Sequence, residues 1–144
     1  MQTDTTPTTE SNEGLIMAGY DAFSRGDMTT VFKIFADDIS WHVPGRGPLA
    51  GDYQGHAEVM GFFQHFMELS EGTFSVDIDD VMASGDRVVV LVTATASAGG
   101  VTWSSPQVHV WTFRNGRATV FREFQGDQQT EDEFWEHAEK LQAH

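Results

Sequence analysis

Residues 74–125 read FSVDIDDVMASGDRVVVLVTATASAGGVTWSSPQVHVWTFRNGRATVFREFQ, and this stretch decides the fold. Phe74, Val76 and Ile78 alternate with Ser75, Asp77 and Asp79, the period of a half-buried strand. Ser84-Gly85-Asp86 turns the chain. Residues 87–97 form a long strand whose unbroken Val/Leu centre places it in the middle of a sheet. Gly99-Gly100 is a hairpin turn, and residues 101–113 and 117–125 are two more strands joined across Asn115-Gly116. The stretch is therefore an antiparallel meander.

Upstream the period changes to that of helices. Residues 1–12, MQTDTTPTTESN, are polar and aperiodic and read as a disordered tail, with Ser11 or Asn12 as the first helix cap. A single domain is expected over residues 13–141. In residues 13–25, Ile16, Tyr20 and Phe23 share one helical face, and Gly26 ends the helix. Asp27 caps a second helix over 28–35, with Val31, Phe32 and Phe35 inward. Residues 39–43 make a short strand, and 44–55, with four glycines and two prolines, a loop. A third helix follows over 56–69. Near the C-terminus Thr130 and Glu133 fit a capping box opening a helix that carries Phe134, Trp135, Ala138 and Leu141. Its early acids, Glu131, Asp132 and Glu133, suit a solvated, capped first turn. Asp127 is expected to have a structural role there. Helices first and meander last give an α+β fold: a cone-shaped, curved antiparallel sheet with the N-terminal helices on its concave face.

Composition excludes several classes. The 144 residues contain no cysteine, which removes disulfides, thiolate nucleophiles and Cys-ligated zinc. Eight basic against 22 acidic residues give a net charge of −14, which repels nucleic acid and anionic membrane surfaces. The longest apolar run, Val88 to Val92, is far too short for a membrane span. No signal peptide is visible, so a cytoplasmic location is expected. The six histidines show no HxH or HExxH spacing, and Glu133/His137 suits an ordinary surface pair, so no metal site is expected. No GxSxG elbow is present, and the glycine-rich loop lacks the ending of a phosphate loop.

This order of elements, with Tyr20-Asp21-Ala22-Phe23, Gly26-Asp27, Phe35-Ala36-Asp37-Asp38, Trp41-His42-Val43-Pro44-Gly45, Asn115-Gly116-Arg117 and Phe124-Gln125-Gly126-Asp127, resembles the SnoaL-like polyketide cyclase and ketosteroid isomerase-like group of the nuclear transport factor 2-like superfamily. The resemblance spans nearly all of the foldable chain. It implies a small hydrophobic substrate in a deep pocket, no cofactor, and a homodimer formed through the outer sheet face with Val108, Val110, Val120 and Phe124. In ketosteroid isomerases the basic Asp precedes the proline of the first strand, where this chain has Val43; the oxyanion tyrosine position holds Gly19, with Tyr20 one step round the helix. In SnoaL-type cyclases a His on the penultimate strand works with an acid seven residues after the hairpin glycine. Here these positions hold His109 and Glu123, a Glu in place of the usual Asp.

Whether His109 and Glu123 share a face depends on the Asn115-Gly116 turn. A two-residue loop pairs Arg114 with Arg117, sets His109 opposite Arg122 and turns Glu123 away. A three-residue loop pairs Phe113 with Arg117 and places Gln107, His109, Trp111, Phe113, Phe121, Glu123 and Gln125 on one face. The second avoids opposing two arginines. It also gives the composition of a ligand pocket, apolar walls with few polar groups. In that geometry His109 and Glu123 form an acid–base pair that shares one proton, with Tyr20 and Gln107 as orienters. The substrate is an enolisable carbonyl compound lying among Trp41, Val43, Tyr53, Phe63, Phe66, Gln107, Trp111, Phe121 and Gln125, cyclised or isomerised without a cofactor. Tyr53 would close the mouth, and His42 would point away from the cavity. Against this stand ordinary structural roles: an interior histidine at 109, an ion pair from Glu123 to Arg122 or Arg87, a core tyrosine at 20. Two other functions remain open on the same fold, a non-catalytic hydrophobic-ligand-binding module and an epoxide hydrolase-like enzyme, which needs an Asp–Arg–Asp arrangement.

Overall fold

The computed structural model describes residues 11–143; residues 1–10 of the expected tail lie outside the described residues. The chain runs α1 (Asn12–Ser24), α2 (Met28–Ile34), β1 (Phe35–Val43), β2 (Gly51–Gln54), α3 (Gly55–Leu69), β3 (Ser75–Ser84), β4 (Arg87–Ala98), β5 (Val101–Arg114), β6 (Arg117–Gln125) and α4 (Gln128–Gln142). The fold is α+β, a curved open six-stranded sheet in the order β2-β1-β6-β5-β4-β3 with helices packed on one face. Neighbouring strands are antiparallel except β1, which runs parallel to β6. In β4 the alternate residues Val88, Val90, Val92, Ala94, Ala96 and Ala98 are all buried. That face forms the core with the aromatic faces of α1 and α3.

Local chemistry explains most boundaries. Ser11 caps α1, its hydroxyl accepting the Gly14 N–H at 3.0 Å. Gly26 takes φ +75° just past the helix, a left-handed position that only glycine adopts freely. Asp27 then caps α2 through Thr30. Three boundaries differ from the sequence reading. First, β1 begins at Phe35 rather than residue 39, because Phe35 pairs with Ala118 on β6; Asp37 and Asp38 are exposed and carry no local β signal. Second, the glycine-rich loop contains β2, held by its ladder to residues 40–43 and by Ser40–Gln54 and His42–Asp52 side-chain bonds. Third, α4 starts before Thr130. Asp127 is its cap, accepting both the N–H and the hydroxyl of Thr130, while Glu133 bonds Gln129 instead. A carboxylate outcompetes a hydroxyl for an orphan N–H. Leu141 does not complete the apolar stripe and is 39% exposed.

The β5–β6 hairpin follows neither expected register. The turn has two residues, Asn115 and Gly116 at φ +52° and +76°, with Arg114 opposite Arg117. The ladder then shifts between Thr112 and Phe113, leaving Thr119 as the extra residue of a bulge. Its hydroxyl bonds the Thr112 carbonyl at 3.2 Å. One inserted residue moves every later side chain to the other face. His109 consequently lies directly opposite Glu123, and Trp111 opposite Phe121. The loop is the shorter one, yet the pocket face is the one expected from the longer. The outer face is partly apolar, with Val108, Val110 and Val120 half-buried and Phe124 51% exposed. No helix among the described residues is long and apolar enough to cross a membrane.

Candidate active site

Between the sheet and α1, α3 and α4 lies a cavity of about 100 Å³. Phe35, Trp41, Phe62, Phe63, Phe66, Trp111 and Phe121 supply most of its wall, with Trp41 stacked on Phe121 at 3.9 Å between ring centres. The polar groups are few and cluster on two networks.

The first network is a directed chain. Trp111 Nε1–H donates to the Tyr20 hydroxyl at 3.1 Å, and that hydroxyl lies 2.6 Å from His109 Nδ1. His109 Nε2 lies 2.8 Å from Gln107 Oε1, an atom that only accepts. The Gln107 contact places a proton on Nε2, and in the neutral imidazole Nδ1 then accepts from Tyr20. Burial agrees, holding the His109 pKa down to about 3 and pushing the Tyr20 hydroxyl well above the usual phenol range. Both groups are uncharged at neutral pH.

The second network is acidic. Glu123 on β6 is 8% exposed, and burial raises its pKa, partly offset by hydrogen bonds from Glu131 and Gln125. Gln125 Nε2 donates to Glu123 Oε2 at 2.5 Å. Glu131, in the first turn of α4, is 5% exposed. Burial first, and the adjacent Glu123 charge second, push Glu131 up to about 9. Gln128 Nε2 donates to Glu131 Oε1 at 2.8 Å. The next residue, Asp132, anchors the glycine-rich loop by accepting the backbone N–H groups of Arg46 and Gly47. The first turn of α4 thus forms part of the cavity rim.

His109, Glu123, Tyr20, Trp41, Val43, Phe63, Phe66, Gln107, Trp111 and Phe121 all line this one cavity. His109 and Glu123 are not hydrogen-bonded to each other; each belongs to its own network. Two expected wall residues lie elsewhere. Tyr53 packs behind Phe62 and donates to the Leu49 carbonyl at 2.7 Å, so it does not close the mouth. Gln125 stands behind Glu123 as its hydrogen-bond donor. His42 points outward to Asp52, as expected. Neither Arg122 nor Arg87 pairs with Glu123, and no lysine or arginine lines the cavity. Glu131 and Asp132 were not foreseen as site residues. The available signal is position: Glu131 shares the i, i+3, i+4, i+7 stripe of Phe134, Trp135 and Ala138, all buried. Among the described residues no group of three metal-ligating side chains gathers.

A curved α+β sheet closed by helices thus encloses an apolar cavity with two buried acids. Residues 16–121 match the SnoaL-like domain model, and the chain belongs to that family. The chain is similar to Bal32a from a soil-derived mobile gene cassette, at 36% identity and TM-score 0.83, covering 86% of this chain and 95% of that one. It is also similar to TerC, whose structure was determined with polyporic acid, at 29% identity and TM-score 0.78, covering 87% and 98%. An uncharacterised protein of Mycobacterium tuberculosis is 29% identical over 129 residues, 89% of this chain and 98% of the relative.

Proposed function

We propose that this protein is a cofactor-independent acid–base enzyme acting on an apolar carbonyl compound, by cyclisation or isomerisation. The observation that carries the reading is Glu123, a buried carboxyl facing an aromatic cavity that no lysine or arginine lines. Burying an acid there costs several kcal/mol relative to an apolar side chain, and simple capture of a hydrophobic ligand does not require it. Glu123 takes the proton next to the carbonyl. Tyr20, His109 and Gln107 set the polar end of the pocket, with the Gln107 amide N–H group free to donate to a substrate oxygen. His109 positions Tyr20 rather than sharing a proton with Glu123. The neighbour TerC, studied with polyporic acid, is consistent with an organic small-molecule ligand on this fold.

The test is a thermal-shift screen of hydrophobic carbonyl compounds, followed by deuterium exchange of each binder in heavy water, read by NMR. The wild type should exchange the position next to the carbonyl, and Glu123→Gln should bind without exchanging. One observation favours a non-catalytic binding module instead: both His109 ring nitrogens already have protein partners. Binding with no exchange in the wild type would establish that alternative. We further propose that the partly apolar outer face of β5 and β6 is covered by a second copy. Light scattering after size exclusion should then give a dimer that Phe124→Glu dissociates, and a wild-type monomer at micromolar concentration would end the idea.

A further inference from the structure

Two carboxyl groups from opposite walls of the cavity meet, one from the sheet and one from the last helix. Glu123 and Glu131 line the same cavity, are 8% and 5% exposed, and each acts directly on the other's ionisation. Each has its own amide donor, Gln125 for Glu123 and Gln128 for Glu131. The groups around them do not balance two negative charges. From α1 and β5, Tyr20 and His109 are neutral. From α4, Asp132 is another acid. From β1, His42 exerts a weak favourable influence on Glu123 but points outward to Asp52. Two buried carboxylates facing one cavity that no lysine or arginine lines strongly disfavour each other's ionisation. A carboxyl oxygen also has nothing to donate to a second carboxylate unless one of them holds a proton.

We propose that Glu123 and Glu131 hold a single proton between them at neutral pH, and that the reactive form carries it on Glu131 and leaves Glu123 the carboxylate, so that the last helix supplies the site's proton donor. This rests on the acid–base reading above and deepens it. The substrate C–H bond breaks as its proton passes to Glu123, and the Glu131 O–H bond breaks as its proton passes to the developing enolate oxygen. The enol leaves with the dyad's proton count unchanged, and the proton returns from Glu123 to Glu131. No other reactant is needed. Substrates that become enolates are favoured over substrates already anionic, which would have to enter beside the Glu123 charge.

The test reads the proton itself. Infrared spectroscopy of the full chain labelled with ¹³C-carboxyl glutamate, at pH 7, should show one buried protonated carboxyl in the wild type and none in Glu131→Gln. Glutamine at 131 still accepts from Gln128 and carries an amide N–H towards Glu123. The exchange rate of a substrate identified as above should fall about 100-fold in Glu131→Gln, with binding retained. Absence of the acid signal in the wild type would overturn the dyad, whether or not the variant folds, and so would its persistence in Glu131→Gln. Acid signal present without catalytic exchange would leave the dyad and remove the enzyme reading. Exchange present without the acid signal would do the reverse.

Discussion

Replacing Glu131 by Gln should stabilise the protein above pH 5, by an amount that grows with pH. In the folded chain Glu131 is pushed from 4.5 up to about 9, so the folded state binds the extra proton between those values. Its contribution is fully present below pH 4.5 and is lost as pH rises towards 9. From 4.5 to 7 is 2.5 pH units at about 1.4 kcal/mol each, on the order of 3 kcal/mol. His109 acts with the opposite sign. Its pKa is held from 6.5 down to about 3, so its contribution is complete above pH 6.5 and is lost as pH falls towards 3. Between about 4.5 and 6.5 the Glu131 and His109 slopes oppose each other, while the raised pKa of Glu123 adds to the fall with rising pH. Glu131→Gln removes the Glu131 slope alone, from pH 4.5 upward, so the variant gains on the wild type throughout that range. Urea unfolding is readily followed by fluorescence, because Trp41, Trp103, Trp111 and Trp135 are all buried. With an m value of about 2 kcal/mol/M, the variant's midpoint at pH 7 should exceed the wild type's by about 1.5 M, and the two should converge near pH 4.5. Parallel profiles, or a variant less stable at pH 7, would refute the reasoning.

Three further outcomes are expected. Tyr20→Phe leaves His109 Nδ1 without a donor and Trp111 Nε1 without an acceptor, costing about 2 kcal/mol; calorimetry should show a melting temperature lower by about 5 °C. Asp127→Ala should cost about 1 kcal/mol by removing the cap of α4, while Glu133→Ala, outside any capping box, should be near neutral in the same urea titration. Gly45→Ala should destabilise by about 1–3 kcal/mol, because φ is +103° and the new Cβ would land on the Gln128 and Asp132 side chains; hydrogen exchange should show the first turn of α4 loosening before the rest.

The architecture was legible because hydrophobic period, glycine turns and caps agreed over most of the chain. Its exceptions share one cause: tertiary pairing supplied what local sequence did not. Phe35 became a strand because Ala118 was there to pair with, and GDYQ at 51–54 because residues 40–43 presented an open edge. The Thr119 bulge is the sharpest case. Turn chemistry correctly favours a two-residue Asn-Gly loop, and taken alone it sends Glu123 to the outer face. A two-residue turn and an inward Glu123 are compatible only through one unpaired residue, and an ordinary RATV segment does not announce it.

Glu131 and Asp132 were missed for a different reason. Acids in a first helical turn are normally solvated and favourable to the helix dipole, so TEDE at 130–133 reads as surface. Counting the face instead of the charge separates its members. Glu133 points to solvent, Asp132 turns to the loop N–H groups, and Glu131 heads the stripe of Phe134, Trp135 and Ala138 that enters the core. An acid at the head of a buried stripe must find a partner or give up its charge. Since the partner it meets is another acid, a shared proton is the arrangement that satisfies both. His109 and Tyr20 are then released from the proton-sharing role their positions suggest, and serve to hold the neutral network beside Glu123 in one orientation.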